Sequence, residues 1–488
     1  MNLEEFLAYL NNGAYSVVRY LLVNNLTLQD RKNMRRVSRT TNSVMLDFPI
    51  LTTLHISTHK ADLDYLELVS KNERLLRHVT LLSWDHSIHE ILLLHDNIYM
   101  TYAQFWDGRY VNVERDLHQV REDEVLETRI TIARPAITLW VGFARSQKWN
   151  LERNRDYMLV MNILPLLKNV QSVMFITHNF REMKRNPSII WSPAIKMPHP
   201  VEHGWTKVGD THLPFMSLYM CPELAMTVFP IKKPEHDIWH RLPIRGIKFF
   251  DALARRQAGS SSSTCLQDFF PKLASIDINH IPQDFLMSPN AGTEYKFLRR
   301  STLGIRRLDL TVPEVRVHTA VEDVSYHASI KALTLPSASS LQYLSLTHVI
   351  KGSDPLSHRT PLQISIGLLP KLPVLSYLVV AGGTTELDEL RELAEAIRAS
   401  QSLQELFLGA MHLENGTWKT VLNTWKISRA LNHLQNVQID GVRDTSNAVR
   451  GFESYTKLFT RNFGPRSLLV RWLNGEHSMY PLYSDRRF

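Results

Sequence analysis

The chain has 488 residues, 44% of them hydrophobic and 21% charged, the balance of a folded globular protein with room for two or three domains or one long repeat array. Fifty-six Lys and Arg against 48 Asp and Glu leave a formal charge of +8. That is too dilute to mark a nucleic-acid binder, and no zinc-finger or RNA-recognition signature adds to it. Two cysteines exclude a disulfide framework and point to a reducing, intracellular compartment, cytoplasm or nucleus.

The N-terminal "MNLEEFLAYL" is acidic and leads into no long apolar run, so no secretory signal is expected. The longest apolar stretches, Ala136 to Ala144 and Met158 to Leu167, fall short of the roughly 20 residues of a membrane span. In "YSVVRYLLVNNL", Val17, Val18, Leu21, Leu22 and Leu26 form the wide apolar stripe of an amphipathic helix. Thr27 followed by Asp30 is a capping-box pattern and opens a second helix. Met34, Val37 and Val44 then recur on one helical face with the small Thr41 between them. Met34 and Val37 are expected to anchor this helix. The basic Arg31, Lys32, Arg35, Arg36 and Arg39 fall mainly on the other faces, as a solvated surface does.

These residues resemble the second half of an F-box. Leu22 and Leu26, then Leu28 and Asp30, then Met34, Val37, Ser38 and Arg39 stand at matching positions. The continuation "PILTTLHISTHKADLDYLELVSKNERLLRHVTLLSWD" resembles the segment after the box in many fungal F-box proteins. There a strand ending in His-Ile-Ser precedes a helix and then "LRxHVxxLxWD". The resemblance implies that residues 1–46 hold a helical hairpin that docks on a Skp-type adaptor, and through it on a cullin-RING ubiquitin ligase core. The contact would run through Val18, Leu22, Leu26, Leu28 and Asp30, and the remaining chain would hold a protein substrate. The family's opening Leu-Pro-x-Glu is replaced by Ala14, Tyr15, Ser16 and Val17. A second reading therefore stands beside the first: an interaction scaffold whose box has decayed.

An L-x-x-L-x-L-like pattern follows along the chain, at "VQSVMFI", "LASIDI", "IRRLDL", "LQYLSL", "LSYLVV", "LQELFL" and "LQNVQI". From Ile276 onward its central residues are Leu308, Leu344, Leu378, Leu406 and Val437, and neighbours lie 28 to 36 positions apart. "ELDELRELAEAIRAS" places Leu387, Leu390, Leu393, Ala394 and Ile397 on one helical face between two such strands. The expected fold is α/β: a short F-box-like helical hairpin, then an irregular leucine-rich-repeat solenoid. The alternative is a generic α/β domain with apolar strands. First repeat units are assigned to 47–177, an irregular Pro/His/Trp-rich insertion with a Ser-rich loop to 178–267, and C-terminal repeats to 268–488. The turn position that holds asparagine in the standard repeat is occupied by Ile281, Pro313, Val349, Gly383, Met411 and Val442. Variable turns are therefore expected. The segment from about Val111 to Leu126, with both signs of charge mixed, reads as a solvated surface helix.

No catalytic constellation stands out, and no metal or cofactor is expected. "WDHSIHEILLLHD" gathers Asp85, His86, His89, Glu90 and His95, but His89 and His95 are six apart, on different faces of a helix. The substrate patch is expected where side chains alternate out of the strands. Tyr343 and Tyr377 take the same position in successive repeats, and Val379 and Phe407 do so one place along. The four should form a contiguous patch on the concave face. A competing reading has the C-terminal "HSMYPLYSDRRF" folding back over it.

Overall fold

The computed structural model describes Glu5 and residues 26–45, 51–86, 88–89, 145–176, 207–208, 211–212, 219–220, 244–258, 264–279, 281, 285–286, 292–312, 320–348, 361–440, 442–444, 468–474 and 476. The chain divides into two compact units, Met1–Leu242 with Phe269–Lys272, and Pro243–Asp268 with Leu273–Phe488. The segment 111–126, most of 178–244 and the last twelve residues lie outside the described residues, as do the expectations placed on them.

In the first unit, helix α1 (Leu28–Met34) begins where the capping pattern places it. The Thr27 hydroxyl accepts the Asp30 N–H at 3.1 Å, and the Asp30 carboxylate accepts the Thr27 N–H at 3.1 Å. The single helix expected through Val44 does not form. The chain turns at residues 35–37, and α2 (Arg39–Met45) starts afresh. The cause is local. The Ser38 N–H donates to Thr41 Oγ1 at 2.9 Å and the Thr41 N–H donates to Ser38 Oγ at 3.2 Å, a second cap that outcompetes helix continuation.

The break overturns one expectation. Val37 sits in the turn, 61% exposed, and anchors nothing, while burial passes to Thr41 and Met45. Met34 is half-buried. Two of the five cations are also more than solvated charge. Arg35 Nε donates to Asn42 Oδ1 at 2.9 Å and ties α1 to α2, and Arg31 Nε donates to the Leu26 carbonyl at 3.2 Å. Lys32, Arg36 and Arg39 are exposed.

Strand β1 (Thr53–Ile56) leads into α3 (Lys60–Ser70) and α4 (Glu73–Leu76), then β2 (Leu81–Asp85), α5 (Arg155–Ile163) and β3 (Ser172–Ile176). These three strands pair in parallel, in chain order, with Thr53 beside Leu81 and Leu81 beside Ser172. Leu54, Ile56, Leu82, Trp84, Val173 and Phe175 are buried.

The second unit opens with α6 (Arg245–Ala258). This is a regular helix with Ile247, Phe249, Phe250 and Ala254 buried, inside the range 178–267 read as insertion and loop. It continues through β4 (Ser275–Ile278), α7 (Thr293–Ser301), β5 (Arg307–Val312), α8 (Ala320–Thr334), β6 (Tyr343–His348), α9 (Pro361–Leu368), β7 (Tyr377–Ala381), α10 (Leu387–Ala399), β8 (Glu405–Gly409), α11 (Trp418–Ser428), β9 (Asn436–Asp440) and α12 (Leu468–Leu473). Strands β4 to β9 pair in parallel, each with the next in the chain. The helices likewise pack each on the next, α6 through α12. A parallel neighbour requires a crossover, and the intervening helix supplies it.

The leucine pattern explains which way each strand faces. Leu341, Leu344 and Leu346 are buried, as are Leu375, Leu378 and Val380, then Leu403, Leu406 and Leu408, then Leu434, Val437 and Ile439. The strand leucines alternate toward the helices, and the residues between them face the other way. Where an asparagine would stand in each turn, Ile281, Met411 and Val442 are buried instead. After β7, β8 and β9 the turns add a second short parallel ladder, Thr384–Thr385 with His412–Leu413 and His412–Leu413 with Arg443–Asp444. Gly382 enters it at φ +85°, and a Cβ there would lie 2.1 Å from the His348 carbonyl oxygen, so this turn requires glycine.

A further regularity marks the units. Leu164–Leu166, Leu335–Ser337 and Leu369–Lys371 are single 3-10 turns of sequence Leu-Pro-x that close a helix. Each proline stands seven residues before its strand (165 to 172, 336 to 343, 370 to 377). Proline cannot continue the helix, so it sets the length of the return to the sheet.

Candidate partner-binding face

Strand register assembles the face away from the helices in the second unit. One row runs Arg307, Tyr343, Tyr377, Glu405 and Asn436. The next runs Asp277, Asp309, Ser345, Val379, Phe407 and Gln438. The four residues expected to form a patch are thus neighbours: Tyr343 beside Tyr377, and Val379 beside Phe407. All four are half-buried. Their contiguity follows from parallel strands about 4.8 Å apart.

The tyrosines are stacked, with ring centroids 4.9 Å apart at 21°. The Arg307 guanidinium lies over the outer side of this pair, 3.9 Å from the Tyr343 centroid, and one of its nitrogens is 3.4 Å from Asp309 Oδ2. The result is a ladder of guanidinium, phenol and phenol in which each group limits the rotamers of the next. Burial, together with the charge of Asp309, pushes the Tyr343 phenol up to about 12. Burial, then the charge of Glu405, raises the Tyr377 phenol as well. Asn436 Nδ2 donates to Glu405 Oε2 at 3.3 Å, which orients that carboxylate beside Tyr377.

Asp277 and Asp309 sit opposite each other on β4 and β5. Burial holds both carboxyls above the ordinary range, and the charge of Asp309 raises Asp277 further, while Arg307 works against both. The sequence reading missed this acid pair and Arg307. Both were present in "LASIDI" and "IRRLDL", whose variable positions share a register with those of "LQYLSL".

The expected adaptor contacts are placed unevenly. Val18 and Leu22 lie outside the described residues. Leu26 is half-buried, and Leu28 is the first residue of α1. Asp30 is exposed, and its Oδ2 accepts the Thr27 N–H of the cap. The C-terminal twelve residues are likewise outside the described residues, so the competing cover for the tyrosine face is untouched.

In the first unit, a buried polar network was invisible to pattern reading. Ser57 Oγ donates to Asp62 Oδ2 at 2.5 Å, Gln147 Nε2 to Thr58 Oγ1 at 2.9 Å, and Asn150 Nδ2 to the Thr58 carbonyl at 3.0 Å. It joins the end of β1 to a helical segment at 145–152. Each polar group is satisfied by another, which is the arrangement of a structural clamp. His86 stacks against both Trp84 and Phe175, with centroids 6.4 Å away in each case. Among the described residues no group of three or more His, Cys, Asp or Glu could hold a metal ion. Among them too, no helix is long and apolar enough to cross a membrane.

No protein-family model matches this chain, and no curated protein matches it in sequence.

Proposed function

We propose that the chain is an F-box-type substrate-recognition adaptor of a cullin-RING ubiquitin ligase. Its N-terminal helices would meet a Skp-type adaptor, and its strand–helix units, irregular leucine-rich repeats in this reading, would hold a protein substrate on the Tyr343, Tyr377, Val379 and Phe407 face. The observation that carries the reading is the pair of adjoining in-register rows, Tyr343 with Tyr377 and Val379 with Phe407, on the side of the strands away from the helices. Stacked, half-exposed tyrosines are the residue type that dominates protein interfaces. The capped helix at Thr27 and the strand–helix–strand order after it support the N-terminal half of the reading. The chain itself performs no chemistry in this account. It raises the effective concentration of a substrate beside the transfer machinery.

A scaffold with a decayed box is the second reading, favoured by Ala14, Tyr15, Ser16 and Val17 in place of the family's opening motif. The two part in a pull-down. Tagged full-length chain should bring down the Skp-type adaptor, and a Tyr343→Ala, Tyr377→Ala, Phe407→Ala variant should keep the adaptor and lose one or more other proteins. Wild-type chain without adaptor supports the scaffold. A triple variant with an unchanged set of companions removes the face from the account.

A further inference from the structure

The tyrosine ladder has two unlike ends. At one end the Arg307 guanidinium covers Tyr343. At the other, among the described residues, no ring or cation covers the far side of Tyr377, and the next residue in the row is Glu405. A π-face bordered by a carboxylate is a seat for a cation: the ring attracts it, the acid neutralises it, and neither alone fixes its position. Phe407 and Val379 flank the seat in the adjoining row and offer apolar surface to the stem of a long basic side chain.

We propose that the open end of the ladder, Tyr377 with Glu405, seats an arginine or lysine side chain of a protein partner, so that the substrate segment held on this face is basic. The inference rests on the face being the substrate surface proposed above. It adds the partner's chemistry. The occupied end shows what the geometry accepts, since the chain's own Arg307 stacks on Tyr343 in just such a way with Asp309 as its counter-charge. The acids of the face, Asp277, Asp309 and Glu405, outnumber its one described cation, Arg307. The face therefore opposes the sign of the whole chain, which is +8. General electrostatics would repel a basic segment, so any binding of one must come from a local site. Glu405 is the register partner of Tyr377 on the adjacent strand, which places the two within interaction range.

The test uses the full chain and two fluorescent peptides of alternating alanine and arginine, or alanine and citrulline. These match in shape and differ in charge. The arginine peptide should bind about tenfold or more tightly than the citrulline peptide, a difference in line with a partly desolvated cation–π contact plus an ion pair. Glu405→Gln and Tyr377→Leu should each remove most of that preference. Tyr377→Phe, which keeps the ring, should retain it, and Glu395→Gln, on helix α10, should leave it unchanged. Equal affinity for the two peptides, no binding of either, or a preference indifferent to Glu405→Gln and Tyr377→Leu would overturn the proposal. Adaptor binding of the same proteins is measured alongside. A chain that binds the adaptor but shows no charge preference sinks this inference alone. A chain that prefers arginine but binds no adaptor sinks the ligase reading and leaves the cation seat standing.

Discussion

Asp277 and Asp309 present the plainest cost in the molecule at the scale of single residues. Two carboxyls on adjacent strands, half-covered and sharing one arginine, cannot both ionise cheaply. Their folded-state pKa values lie above the unfolded ones, so the folded chain holds protons that the unfolded chain has released. Stability therefore falls as pH rises from the ordinary carboxylate range through the raised values, and at neutral pH the cost is present. Asp277→Asn should raise the melting temperature at pH 7. The gain should shrink toward and below about pH 4, where the unfolded carboxyl takes up its proton too. An equal gain at both pH values would mean that the carboxyls do not titrate as described. None of this was legible beforehand, because an aspartate at a variable strand position reads as solvated until register places its twin beside it. Val37 errs in the opposite direction. Its spacing from Met34 suited a buried helical face, but the reciprocal bonds of Ser38 and Thr41 end that helix first and leave Val37 in a turn.

At the scale of elements, the buried leucines of each strand repeat faithfully, while the helices fasten to one another by means particular to each pair. Between α10 and α11 the fastening is Trp425. Its indole N–H donates to the Leu390 carbonyl at 3.0 Å, and its rings are buried. Trp425→Phe keeps most of the apolar surface but removes that bond and leaves a smaller ring in a buried site. It should cost about 1–3 kcal/mol, read as a lower denaturation midpoint with unchanged slope. Stability within about 0.3 kcal/mol of wild type would mean the bond contributes nothing net. The strands were legible because Leu341, Leu344 and Leu346 and their counterparts are read by a period that the pleat itself imposes. The Leu-Pro-x turns were equally present in the sequence, and their constant seven-residue lead on the strand was the overlooked cue. Helix α6 went unread because it follows a long stretch of Pro, His and Trp, and its apolar Ile247, Phe250 and Ala254 recur without any L-x-x-L-x-L partner nearby.

For the molecule as a whole, sequence reading reached the α/β class and the chain-order stacking of strands, because both follow from a pattern that recurs. It reached the tyrosine row for the same reason, since equal positions in successive units become neighbours. It did not reach contacts between distant segments with no shared pattern. Gln147 and Asn150 meet Thr58 across some ninety residues of chain, and nothing in either stretch announces the other. The central claim is that one chain joins a ligase adaptor at its N-terminal helices to a substrate on its strand face. The most direct measurement is a titration of the purified full-length chain with a purified Skp-type adaptor, followed by calorimetry. The account predicts a one-to-one complex that is lost in Leu26→Asp and in Val18→Asp, and kept in the Tyr343→Ala, Tyr377→Ala, Phe407→Ala variant. A folded wild-type chain that releases no heat and forms no complex with the adaptor would contradict it.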